Sequence, residues 1–214
     1  MDPQFWHSKW QSNEIGFHMN EANPMLLAHF QRLQLQPGQR VFVPLCGKTL
    51  DIAWLLDQGF RVVGVELSIL AIDQLFAELG VAPEVTEYEE LIHYRAPNLD
   101  VFIGDLFLVS AALLGEVDAV YDRAALVALP ADMRAEYTRH VVSITAAAPQ
   151  LLITFDYDQS LLPGPPFCVN EAEVRRHYES SYKIQLLEST AVAGNLKGVC
   201  PALELVMLLQ PPGA

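Results

Sequence analysis

Short, mostly apolar runs alternate with helix-patterned segments along most of this chain, and that alternation limits the fold more than any other feature. Val41-Phe42-Val43, Val62-Val63-Gly64-Val65, Val101-Phe102-Ile103, Val117 to Tyr121 and Leu151 to Phe155 each have strand length. Runs of this kind read as strands buried on both faces. Between them, Thr49 to Asp57 has helical spacing and stops at Gly59. Ser68 is a good N-cap for a helix whose apolar face is Ile69, Ile72, Leu75, Phe76 and Leu79, with Gly80 as its stop. Met133, Tyr137, Val141 and Ile144 mark one face of a long helix, and Glu171 to Tyr178 forms another. Met25 to Leu33 reads as a short amphipathic helix before the turn Gln36-Pro37-Gly38. Two late runs, Ile184 to Leu187 and Leu203 to Leu209, suit an antiparallel pair. The expected architecture is α/β, a mostly parallel sheet with helices on both faces. With 214 residues and 51% hydrophobic content, the chain suits one domain over 1–214 with a sizeable core.

In such sheets ligands bind beyond the carboxyl ends of the strands, so the residues just after each strand are the candidates. The first strand runs into Leu45-Cys46-Gly47-Lys48-Thr49. Gly-Lys-Thr invites a phosphate-loop reading, but the glycine required five positions before Gly47 is Phe42. A single glycine is also too few for a dinucleotide fingerprint. Glu66 closes the second strand, about 20 residues after that turn, where a carboxylate can accept both hydroxyls of a nucleoside ribose. This position does not separate adenosylmethionine from a nicotinamide cofactor. Ile103 and Gly104 after the third strand can offer backbone groups to a base, although a plain turn at Gly104-Asp105 fits as well. Asp122-Arg123 ends the fourth strand. The pair reads either as a structural ion pair or as an Arg123 aimed at a carboxylate, the group that a guanidinium grips in two-pronged fashion.

The first 36 residues carry Phe5, Trp6, Trp10 and Phe17. Trp6 and Trp10 are four apart and share a helix face. Core packing is the expectation for Trp6; an aromatic lid over the strand ends, facing a cation or a flat heterocycle, is the alternative.

Composition excludes other classes. A formal net charge of −13, from 13 basic and 26 acidic residues, repels phosphate backbones and anionic membranes. Cys46, Cys168 and Cys200 are odd in number and widely spaced, which argues against a disulfide framework or zinc cluster and for a cytoplasmic setting. The six histidines have no metal-ligand spacing, so no metal is expected. No secretory signal pattern, membrane-length apolar run or G-x-S-x-G elbow is present. No long apolar stripe demands a partner subunit, so a monomer is expected.

Several strings, in order along the chain, resemble the thiopurine S-methyltransferase family. They are Trp6-x-x-x-Trp10 with Gly16-Phe17, Val43-Pro44-Leu45-Cys46-Gly47-Lys48 with Asp51, Gly64-Val65-Glu66, Asp122-Arg123-Ala124-Ala125-Leu126-Val127-Ala128 and Gly164-Pro165-Pro166-Phe167. The resemblance implies a class I S-adenosylmethionine-dependent methyltransferase fold with a seven-stranded mixed sheet. It implies cofactor contacts from Trp10, Leu45, Glu66 and Arg123, with Ile103 and Gly104 flanking the adenine and Phe17 beside the substrate. Arg123 is the expected catalytic residue, facing either the substrate or the cofactor carboxylate. The implied reaction is methylation of thiopurines and other aromatic or heterocyclic thiols. Selenium and tellurium compounds are the alternative acceptors. A nicotinamide-dependent oxidoreductase and a non-catalytic adenosylmethionine-binding module are the rival readings.

Overall fold

The computed structural model describes residues 3–213 and contains one mixed sheet in the order β3-β4-β5-β2-β1-β6-β7-β9-β8. The elements in chain order are α1 (Pro3–Gln11), α2 (Pro24–His29), β1 (Arg40–Pro44), α3 (Leu50–Asp57), β2 (Arg61–Glu66), α4 (Ile69–Leu79), β3 (Glu84–Tyr88) and β4 (Leu91–Ala96). They continue with β5 (Leu99–Ile103), α5 (Ala111–Leu114), β6 (Ala119–Arg123), α6 (Ala131–Ile144), β7 (Gln150–Tyr157), α7 (Glu171–Tyr178), β8 (Lys183–Ala191) and β9 (Ala202–Gln210).

The central strands β5-β2-β1-β6-β7 are parallel. Their side chains alternate between two cores, as the pleat requires. On β1, Phe42 joins the core under α6 and α7, whereas Val41 and Val43 join the core under α2, α3 and α4. Both faces are covered, which is why these strands read as continuous apolar runs. Truncating a fully buried residue such as Ile52 to Ala should cost about 2–5 kcal/mol.

The helix signals in the sequence hold at most positions. Ser68 accepts the Ala71 N–H, Thr49 accepts the Asp51 N–H, and α7 spans the expected residues. The helix expected over Met25 to Leu33 ends at His29 and tightens into a 3₁₀ turn over Phe30–Leu33. Ile69 is 44% exposed and lies outside the apolar face assigned to it.

The sheet has nine strands, not seven. The two extra strands form the β3–β4 hairpin, antiparallel to each other, with β4 antiparallel to β5. Every β3 residue is exposed, and only Leu91 of β4 is fully buried. An edge hairpin held by backbone hydrogen bonds leaves no buried apolar run to read. The expected late antiparallel pair is β8 with β9, which also pairs with β7. Among the described residues no helix is long and apolar enough to cross a membrane.

Candidate active site at the strand ends

The chain order of the parallel strands reverses between β1 and β6, the switch point where an open α/β sheet leaves a crevice. A cavity of about 750 Å³ opens there. Its floor is the set of turns that follow β1, β2, β5 and β6. Leu45 (φ +46°), Gly47 (φ +51°), Gly104 (φ +141°) and Ala124 (φ +62°) all adopt positive φ in these turns. Such conformations cluster where the surrounding structure must hold backbone against a ligand.

Glu66 organises the floor. Its carboxylate is buried and accepts the Gly47 N–H at 2.8 Å on Oε2 and the Ser68 N–H at 2.9 Å on Oε1. Burial raises its pKa above the usual carboxylate value, and the backbone donors oppose that shift. The Glu66 carbonyl accepts the Gly104 N–H at 2.9 Å, which ties the β2 and β5 turns together. Two glycines are sterically required. A Cβ on Gly47 would lie 2.9 Å from the Trp10 ring, and one on Gly104 would lie 2.6 Å from Leu91 Cδ2.

Strand alternation separates Asp122 from Arg123, so the structural ion pair does not form. Asp122 is fully buried and accepts the Tyr137 hydroxyl at 2.7 Å and the Leu126 N–H at 3.1 Å. Burial pushes its pKa up to about 6. Arg123 lines the cavity instead, and its Nη1 donates to the Phe17 carbonyl at 2.9 Å. No carboxylate among the described residues lies within ion-pair distance of Arg123, whereas Lys9 and Lys48, which also line the cavity, pair with Glu14 and Glu78.

The N-terminal segment closes the crevice. Phe17 packs edge-on against Trp6 at 5.8 Å and Trp10 at 5.5 Å between ring centroids. Trp10 is buried, while Trp6 is only partly buried and lines the cavity, so the core-packing expectation for Trp6 does not hold. Gly164-Pro165-Pro166, Leu196 and Lys197 also line the cavity, with Lys197 Nζ donating to the Pro165 carbonyl at 2.6 Å.

Of the residues singled out from sequence, Trp10, Phe17, Leu45, Glu66, Gly104 and Arg123 meet around this one cavity. Ile103 does not line it. Its side chain belongs to the core beneath, because the last residue of β5 points away from the crevice. Sequence reasoning missed His18, Met133, Phe155, Leu196 and Lys197, which also line the cavity. His18 had a signal, since it directly follows the Gly16-Phe17 string. The others come from separate elements with no common spacing. Among the described residues no group of three or more His, Cys, Asp or Glu side chains could hold a metal ion.

Comparison with known proteins matches this geometry. The family described as Thiopurine S-methyltransferase matches residues 1–200. A thiopurine S-methyltransferase of Xanthobacter autotrophicus (strain ATCC BAA-1158 / Py2) is 56% identical over 211 residues, covering 98% of this chain and 99% of that protein. One from Teredinibacter turnerae (strain ATCC 39867 / T7901) is 49% identical over 210 residues, with 98% of each covered. Among solved structures, the fold resembles that of Burkholderia thailandensis 1,6-didemethyltoxoflavin-N1-methyltransferase, crystallised with 1,6-didemethyltoxoflavin and S-adenosylhomocysteine. That likeness has a TM-score of 0.64 at 15% identity and covers 97% of this chain and 87% of that one. A methyltransferase from Anabaena variabilis ATCC 29413, described as SAM-dependent, gives 0.64 at 13% identity, covering 97% and 95%. With near-complete coverage by close relatives and the class I fold beneath the site, the chain belongs to the thiopurine S-methyltransferase family and is an S-adenosylmethionine-dependent methyltransferase.

Proposed function

We propose that this methyltransferase acts on the sulfur of small, flat thiols, thiopurines and other aromatic or heterocyclic thiols among them. The division of the cavity carries this reading. Among its lining residues, we take Glu66 and Arg123 at the strand ends as one wall and Trp6, Phe17, Phe155 and the Pro165-Pro166 rim as the other. The first wall suits the cofactor. The Glu66 carboxylate keeps lone pairs beyond those used by the two backbone donors, enough to accept ribose hydroxyls. Arg123 has spent one guanidinium N–H on a carbonyl and keeps the rest for a carboxylate. On this reading Trp10, Leu45, Glu66, Arg123 and the Ile103-Gly104 backbone hold the cofactor, and Phe17 faces the acceptor.

S-adenosylmethionine, when bound, supplies a methyl group already activated on a sulfonium. The chain then has to position and desolvate. The aromatic wall holds a planar acceptor in near-attack geometry and keeps water away. Arg123 stabilises anionic character next to the acceptor or fixes the cofactor carboxylate. The Phe17 carbonyl that it grips couples either task to the lid. Selenium and tellurium compounds are a second reading, favoured by the same apolar wall, which suits a soft nucleophile without fixed polarity. Three unpaired cysteines support a cytoplasmic setting, and a monomer remains our assignment.

The test is a methyl-transfer assay across aromatic thiols, selenite and tellurite, preceded by thermal melts with S-adenosylhomocysteine. Saturation at 100 times the dissociation constant adds about 2.7 kcal/mol, a shift of about 5–10 °C for a chain of this size. Turnover of aromatic thiols is expected. Transfer to the selenium or tellurium compounds alone would move the assignment to the second reading.

A further inference from the structure

We propose that His18 is the general base of the reaction, taking the proton of acceptor thiols that are not ionised at neutral pH. The inference rests on the thiol reading above and adds a proton acceptor to it.

The geometry comes first. His18 lines the cavity on the lid side, directly after Phe17. Its backbone is held at two points. The His18 N–H donates to the Ile15 carbonyl at 2.8 Å, and the Phe17 carbonyl of the preceding peptide accepts from Arg123 at 2.9 Å. The imidazole itself makes no side-chain hydrogen bond among the described residues. The carboxylates around the cavity already hold partners. Glu14 pairs with Lys9, Glu66 accepts two backbone N–H groups, and Asp105 caps the Phe107 N–H at 3.0 Å. Cys46 is a buried thiol whose pKa burial pushes well up. Among the described residues that line the cavity, His18 offers an imidazole with no side-chain hydrogen bond, the side-chain type best matched to a thiol proton.

Its surroundings keep that atom unprotonated. Burial is the largest influence and lowers the imidazole pKa from the ordinary 6.5. Lys48 and Arg123 add to the lowering, while Glu78 and Asp51 oppose it. A neutral imidazole at physiological pH is a competent base.

The step balances as follows. The acceptor S–H proton passes to the unprotonated ring nitrogen of His18. The sulfur forms a bond to the methyl carbon as the sulfonium carbon–sulfur bond breaks, and that bonding pair stays on the cofactor sulfur. The imidazolium returns its proton to solvent after product leaves.

The experiment compares two acceptors in wild type and His18→Gln: 4-nitrothiophenol, ionised at neutral pH, and benzyl mercaptan, still protonated. Removing a general base costs roughly 100-fold or more, so kcat/KM for benzyl mercaptan should fall about 100-fold and that for 4-nitrothiophenol much less. The wild-type acid limb for benzyl mercaptan, set by His18, should shift in the variant to the higher pH at which the thiol itself ionises, and added imidazole should restore part of the rate in His18→Ala. Calorimetry should show S-adenosylhomocysteine affinity changed less than threefold. Equal losses on both acceptors, no loss on either, or a large fall in cofactor affinity would overturn the assignment. If wild type methylates neither thiol, the thiol reading falls together with it; turnover of both with parallel losses removes His18 alone. His18→Asn replaces the Gln variant if that variant melts early.

Discussion

The two walls of the cavity are built by different means. The wall proposed for the cofactor is made of turns at the ends of parallel strands. Its polar atoms are locked by backbone hydrogen bonds, as with Glu66, or by steric necessity, as with Gly47 and Gly104. The wall proposed for the acceptor is assembled from the N-terminal segment, Phe155 of β7, the Gly164-Pro165-Pro166 loop and the turn between β8 and β9. It is mostly aromatic and proline surface, tied down by hydrogen bonds to loop carbonyls such as those from Lys197 to Pro165 and from the Tyr157 hydroxyl to Pro166. A wall anchored in the sheet can hold one fixed cofactor. A wall assembled from loops can change with the acceptor at little cost to the core.

Substitutions should separate the walls, and the largest effect is expected where they meet. Arg123 contacts the lid through Phe17 while standing at the end of β6. Arg123→Ala should lower kcat/KM by roughly 100- to 1000-fold, about 3–4 kcal/mol of transition-state stabilisation. Activity within twofold of wild type would remove it from the site. Trp10, buried against Gly47, should behave as part of the sheet-anchored wall. Trp10→Ala is expected to cost about 3 kcal/mol in a urea or thermal unfolding measurement and to weaken cofactor binding as well. A cost below about 1 kcal/mol would place Trp10 with the loose wall.

Glu66→Ala should weaken S-adenosylhomocysteine binding by about 1–3 kcal/mol, the penalty for unpaired hydrogen-bonding groups, and leave acceptor KM little changed. Unchanged affinity in calorimetry would take Glu66 out of the ribose site. The smallest stability effect is expected at Trp6, which is only partly buried in the acceptor wall. Trp6→Ala should shift stability by less than about 1 kcal/mol, yet raise KM for aromatic thiols severalfold. A stability loss matching that of Trp10→Ala would show that the lid is as firmly built as the strand ends, and the contrast between the walls would disappear.

Legibility in the sequence follows the same division. The parallel core strands, the Ser68 cap, the helix over Glu171 to Tyr178 and the placement of Glu66 and Arg123 after their strands all rest on local rules: burial period, capping chemistry and the position of strand ends. Those rules act within a few residues, so the linear order of side chains carries them. The β3–β4 hairpin was not legible because an exposed edge strand depends on backbone pairing with β5, to which side-chain pattern contributes little. For Ile103 the sequence offers only backbone groups at a strand end. The pleat sends its side chain into the core and leaves Gly104 facing the crevice. Asp122 and Arg123, adjacent in the chain, part for the same reason.

What the sequence alone determined, then, is the parallel core of the sheet, most of its helices and the strand-end positions of Glu66 and Arg123. Only the tertiary structure decided which distant residues join them around the cavity. His18, Phe155, Pro165 and Lys197 come from four distant segments, and their meeting depends on how separate elements pack. That packing is set by long-range burial, which no local spacing encodes.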